Sequence, residues 1–115
     1  MAIYSKEFLT GGTGDGRGIL VVATATAGTT IHTAHATAKD EIHLWAFNTH
    51  TADLLLTVEH GGVTALGDTY EFTVPFADGL YPITPGLILS NSDVVRAFCA
   101  SASLVTIFGY VNRIT

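Results

Sequence analysis

Charge is what this sequence has least of: Asp, Glu, Lys and Arg make up 13% of its 115 residues, against about a quarter in typical soluble proteins. With 48% of the residues hydrophobic, such a chain cannot cover its own outside with charge. The surplus apolar surface must meet lipid or other subunits. A spanning helix is excluded, because it needs about 18 or more consecutive apolar residues. The best run, Leu104 to Val111, is shorter and is interrupted by Thr106 and Gly109. Without aromatic girdles, a chain of this length also makes a poor transmembrane barrel. Burial against other subunits is the better reading. The single cysteine, Cys99, cannot close an internal disulfide, and its apolar neighbours predict a buried, inert thiol. Basic residues are scarce too: five against ten acidic ones, a net charge of −5, with no basic stripe to collect phosphates. This disfavours nucleic-acid binding. The opening residues Met1 to Gly12 carry Lys6 and Glu7 and lack an apolar core segment, so no secretory signal is expected and synthesis in a cytoplasm is implied.

The chain has the length of a single domain. Residues 1–18 read as an N-terminal arm: an amphipathic opening, Ile3 to Leu9, precedes five glycines among the eight residues Gly11 to Gly18. Glycine at that density is costly to order, so an ordered arm would need a neighbouring subunit to hold it. From Ile19 onward, β-branched residues and regularly spaced turn signals predict strands, and no 3.6-residue apolar period is sustained. The expected strands are Ile19–Ala25, Thr29–Ala36, Glu41–Asn48, Ala52–His60, Thr69–Pro75, Gly79–Ile83, Leu87–Ser90, Val94–Ala100 and Leu104–Arg113. Turns are expected at Ala27-Gly28, His60-Gly61-Gly62, Ala77-Asp78-Gly79, Pro85-Gly86 and Asn91-Ser92-Asp93, among others. Turn spacing of about 8–12 residues is that of an all-β sandwich or barrel; the fold expected over residues 19–115 is an antiparallel sandwich, jelly-roll-like, of about eight strands.

Alternation shows how the strands sit. In Asp40 to Asn48, Ile42, Leu44 and Ala46 point one way while His43, Trp45 and Phe47 point the other. Both faces are apolar enough to be covered, one by the sandwich core and one by a partner. The last strand is also two-faced, and Gly109 within it marks a bulge or a close backbone approach. By contrast, Ala52 to Glu59 alternates cleanly and reads as half-exposed.

Catalytic signals are weak. His32 and His35 are three apart, which on a strand sends them to opposite faces, and His43, His50 and His60 lie in no recognised ligand spacing. No metal or cofactor is expected. The glycine-rich run satisfies neither the dinucleotide fingerprint nor the phosphate loop, and no nucleophile elbow is present. The carboxylates fall mostly at turns. Arginine is rare enough for Arg17, Arg96 and Arg113 to stand out. Arg96, inside Val94-Val95-Arg96-Ala97-Phe98, reads either as water-facing or as half of an ion pair between subunits.

The segments GRGILVVATATAGTTIHTAHA, DEIHLWAFNTHTADLLLTVEHGG, PGLILSNSDVVRAFCASAS and FGYVNRI, spanning about residues 16 to 114, resemble small virion structural proteins of tailed bacteriophages and gene transfer agents. The resemblance implies a non-enzymatic β-sandwich that decorates, cements or spikes the head. Such a protein would be made in the host cytoplasm and would reside in the virion as a symmetric oligomer, expected to be a trimer. Its partners would be the major capsid protein or another virion protein, with no nucleic acid and no membrane. Two alternatives stay open: a tail or fibre module contacting host surface glycans, for which Trp45 or Tyr81 would serve, and a stand-alone carbohydrate-binding sandwich. The residues expected at interfaces are Tyr4, Phe8, Arg17, His43, Trp45, Phe47, Arg96, Tyr110 and Arg113.

Overall fold

A computed structural model describes residues 3–65 and 67–115. They form nine strands and, among the described residues, no helix: β1 (Tyr4–Phe8), β2 (Ile19–Leu20), β3 (Thr29–Thr33), β4 (Lys39–Asn48), β5 (Leu54–His60), β6 (Thr69–Val74), β7 (Tyr81–Leu89), β8 (Val94–Cys99) and β9 (Val105–Ile114). The larger sheet runs β1-β9-β4-β7, with β2 also on β9, and the smaller runs β3-β8-β5-β6. Every pairing within the two sheets is antiparallel. Because β2 pairs with β9, β3 with β8, β4 with β7 and β5 with β6, the chain is a long hairpin rolled over on itself. That nested order is a jelly roll, the fold expected over residues 19–115.

The period-2 pattern decides what fills the space between the sheets. Along β4, Asp40, Ile42, Leu44, Ala46 and Asn48 are buried and the residues between them are not. Across the sandwich, Leu56, Val58, Val95, Ala97 and Cys99 meet Val105, Ile107 and Val111 of β9 in one core. Cys99 is a buried free thiol, as its neighbours predict.

The expected strand Ile19–Ala25 is reduced to Ile19–Leu20, and the sequence reading and the structure differ at two further places. Pro85-Gly86, read as a turn between two strands, lies inside the single strand β7. β7 is the edge of the larger sheet, where a proline's missing N–H costs no ladder bond. Gly86 takes a positive φ of 89° within a stretch where two register shifts against β4 absorb the irregularity. The second place is the segment 1–18. Tyr4–Phe8 pairs with β9 from Tyr4↔Ile114 to Phe8↔Tyr110, extending the larger sheet. Leu9 then enters the core, and the chain crosses to the edge of the smaller sheet. There the Gly11 N–H donates to the Ile31 carbonyl (2.8 Å) and the Thr33 N–H to Thr10 Oγ1 (2.8 Å). A Cβ on Gly11 would overlap the backbone of Thr30 and Ile31, so glycine here permits contact between two backbones. The segment then returns to β9 as β2. Residues 4–20 thus lace one side of the sandwich shut.

Gly109 marks a close approach, one of its two expected roles. It sits opposite Leu44 in the β4–β9 ladder, and a Cβ there would overlap the His43 carbonyl oxygen. Gly109→Ala is therefore expected to destabilise the fold by about 1–3 kcal/mol through overpacking, read as a lowered denaturant midpoint with an unchanged slope.

Candidate interaction face

Residues paired directly across an antiparallel ladder point to the same side. The β4–β9 register sets His43 against Tyr110, Trp45 against Phe108 and Phe47 against Thr106. On the far side of β9, Phe8 again meets Tyr110, and Tyr4 meets Ile114. All these side chains project from the outer face of the larger sheet, opposite to buried Ile42, Leu44 and Ala46. Of the nine expected interface residues, Tyr4, Phe8, His43, Trp45, Phe47 and Tyr110 are thereby brought together. Phe108, Lys6 and Ile88 join them and were missed. Their signal was the alternation of the last strand and of the Ile3–Leu9 opening, which marks the parity of each side chain but not which strands lie side by side.

The face is apolar, open and internally braced. Tyr4 and Phe8 are 70% and 59% exposed, whereas Trp45, Phe47, Phe108 and Tyr110 are half-buried. The His43 and Tyr110 rings stack with centroids 5.0 Å apart and planes 17° apart. Trp45 stacks on Tyr110 at 6.1 Å, and Lys6 Nζ lies 5.1 Å from the same ring's centroid. His43 Nε2 is 2.7 Å from Glu41 Oε1, which also accepts from Asn112 Nδ2 at 3.2 Å. The hydrogen bond from His43, helped by that from Asn112, holds the Glu41 carboxyl below its ordinary value. With its rings fixed in the free protein, the face would lose little side-chain entropy on binding.

The three arginines go elsewhere. Arg17 is in the glycine-rich loop, exposed, with Nε 3.3 Å from Asp15. Arg96 is on β8 of the smaller sheet, between Thr30 and Glu59 in register. No ion pair to it is found among the described residues. Its neighbour Glu59 is buried and accepts instead from Thr26 Oγ1 and the Gly28 N–H, both at 2.6 Å, pinning the 22–28 loop over the sheet. Arg113 has inner parity. Its Nε and Nη2 donate to Asp40 Oδ1 (2.8 Å) and Oδ2 (3.1 Å).

Asp40 is the hub of a buried polar network. Besides Arg113 it has His32 Nε2 at 2.7 Å and the His35 N–H at 3.2 Å, and both Asp40 and His32 are inaccessible to solvent. The Thr10 N–H donates to His32 Nδ1 (3.2 Å), so Nδ1 is the acceptor and Nε2 carries the proton toward Asp40. Thr10, His32 and Asp40 mimic the order of a nucleophile, base and orienter, but the nitrogen facing the threonine is already occupied by a backbone N–H. The Thr10 hydroxyl, 3.5 Å from it, accepts from Thr33 N. A general base needs that nitrogen free. The network ties β3, β4, β9 and residue 10 together, and its members lie too far apart in the chain to be associated by spacing. Among the described residues, no three His, Cys, Asp or Glu side chains gather to hold a metal ion.

Comparison with known proteins adds no identity: no family model, no curated protein and no solved structure matches the chain.

Burial pushes the Asp40 carboxyl up, but the bonds from Arg113, His32 and the His35 amide outweigh it and leave the group below its ordinary 3.8. Its contribution to stability is then complete above the unfolded carboxylate value and is lost as pH falls through the lowered one. Asp40→Ala, which leaves buried His32 Nε2 without its acceptor and Arg113 with Glu7 alone at 3.9 Å, is expected to cost about 3 kcal/mol. Urea unfolding across the acid range would show this, together with a weaker dependence on pH below 4 in the variant.

Proposed function

We propose that this chain is a non-enzymatic structural protein of a tailed-phage or gene-transfer-agent particle, one that assembles symmetrically and decorates or cements the head. The observation that carries the reading is the braced aromatic face. A sheet surface bearing Tyr4, Phe8, Trp45 and Tyr110, with half or more of Tyr4 and Phe8 open to water, has the aromatic content of a protein interface core and an order imposed before contact. Such a protein works by adhesion: the area it buries across shell joints is bound only in the assembled state, and the shell is stabilised accordingly.

Jelly rolls recur in capsid domains and in lectins alike, so the fold by itself does not choose between them. The aromatic geometry favours a protein partner. A sugar ring stacks on an aromatic face left open, whereas the Tyr110 ring is engaged by His43, Trp45 and Lys6. Tyr81, the other aromatic considered for glycan contact, packs against the core and stacks on Phe72 at 6.5 Å.

The test is the mass of the purified protein by light scattering, alone and with purified heads of the particle that encodes it. A stable oligomer that pellets with heads is expected. Trp45→Glu should weaken the oligomer's self-association by tenfold or more, as for a central aromatic anchor, with an unchanged far-ultraviolet spectrum. A monomer indifferent to heads, whose Trp45 fluorescence responds to glycans, would overturn the reading.

A further inference from the structure

The loop joining β6 to β7 is built for contact. Phe76 and Leu80 are 50% and 55% exposed, flanking Asp78, which is exposed and has no hydrogen bond or ion pair to its side chain among the described residues. Two large apolar side chains exposed within five residues of each other form a small apolar patch on this loop. The loop is not loose. The Phe76 N–H donates to Asp53 Oδ1 (3.1 Å), and the Ala77 N–H to the Asn48 carbonyl (3.3 Å). Buried Asn48 donates through Nδ2 to the Val74 carbonyl (2.9 Å), and Ala77 and Gly79 hold the turn with φ of 54° and 66°. The result is a rigid apolar knob with one unpaired carboxylate.

The aromatic face is its complement. Lys6 and Lys39 lie on that face, and neither forms an ion pair among the described residues. The one carboxylate on the face, Glu41, is already engaged by His43 and Asn112. Asp78 cannot reach either lysine within one molecule. The knob hangs from Asn48 at one end of β4, Lys39 stands at the other, and nine residues of strand at about 3.3 Å each separate them by roughly 30 Å. Lys6 lies toward the Lys39 end, since its partner Asn112 pairs with Glu41. Knob and cations therefore stand toward opposite ends of β4.

We infer that the occupant of the aromatic face is a second copy of this chain, which seats its Phe76–Leu80 knob among the aromatic residues and brings Asp78 to Lys6. This rests on the assembly reading above and specifies its geometry: the contact joins two different surfaces, so it is head to tail and generates a ring where its rotation closes.

The experiment is a charge exchange read by sedimentation and light scattering of the full chain at fixed concentration, without heads. Asp78→Lys and Lys6→Glu should each weaken self-association by about tenfold, and the double variant Lys6→Glu with Asp78→Lys should restore it. Asp93→Lys, a control at a turn away from the knob, should leave it unchanged, and far-ultraviolet spectra should match throughout. A wild-type monomer, singles that do not change the mass, or a double variant no better than its singles would each overturn the inference. Failure here is distinguishable from failure of the virion reading. A monomer that still pellets with heads sinks only the head-to-tail contact, whereas an oligomer broken by Asp78→Lys but indifferent to heads sinks only the virion assignment.

Discussion

The ten consecutive pairs between β4 and β9 are the constraint from which the rest of the molecule follows. Because side chains alternate along a strand, a slip of one residue in this ladder would carry Ile42, Leu44 and Ala46 out to water and draw His43 and Trp45 into the core. Both faces of both strands are apolar, so hydrophobicity alone discriminates weakly between the two registers. Two local features supply the discrimination. Gly109 is the one residue of β9 without a side chain, and it lies where the His43 carbonyl leaves no room for one. Asp40 and Arg113, directly paired near the opposite end of the ladder, form a bidentate ion pair on the inner side. In the slipped register Asp40, which shares the parity of Ile42, would leave the inner side with it and Arg113 would lose this partner, so the ion pair disfavours the slip. Buried charge adds little net stability in such a place; its value lies in allowing one arrangement only.

This explains which parts of the structure were legible in the sequence. β4, β5, β8 and β9 were, because their parity is a local property. That His43, Trp45 and Phe47 share an outer face needs only that parity and a decision about which set lies in the core, whereas bringing Tyr110 to them needs the β4–β9 pairing. β7 was not legible, since Pro85-Gly86 carries the same local chemistry in a turn and in a bulged edge strand, and only the position at the sheet's edge separates the two. The opening segment was misleading in a similar way. Its glycines suggest slack, yet Gly11 is where two backbones touch, and the β1 pairing depends on β9, a hundred residues later. The Asp40 network was invisible for the same reason: Thr10, His32, Asp40 and Arg113 are joined by topology alone.

Sheet proteins can associate through edges or through faces, and this one has closed most of its edges. β7 carries Pro82 and Pro85 and two register shifts, which spoil it as a template for a further strand. On the other side of the larger sheet, β1 and β2 are short and separated by the excursion to β3. That excursion also occupies part of the β3 edge through Gly11 and Thr10, and β1 places Lys6 at its centre. The β6 edge of the smaller sheet is not blunted in this way, but the broad apolar surface is the outer face of the larger sheet. There the scarcity of charge seen across the sequence has a location: the cations are few, the carboxylate is held by its neighbours, and the rings are already stacked. Edge pairing has no intrinsic end and leads to open aggregates, whereas a face with fixed shape and few charges admits one partner in one orientation. On the assembly reading proposed above, this division between blunted edges and a prepared face is what would let the chain adhere to a symmetric surface without open-ended aggregation.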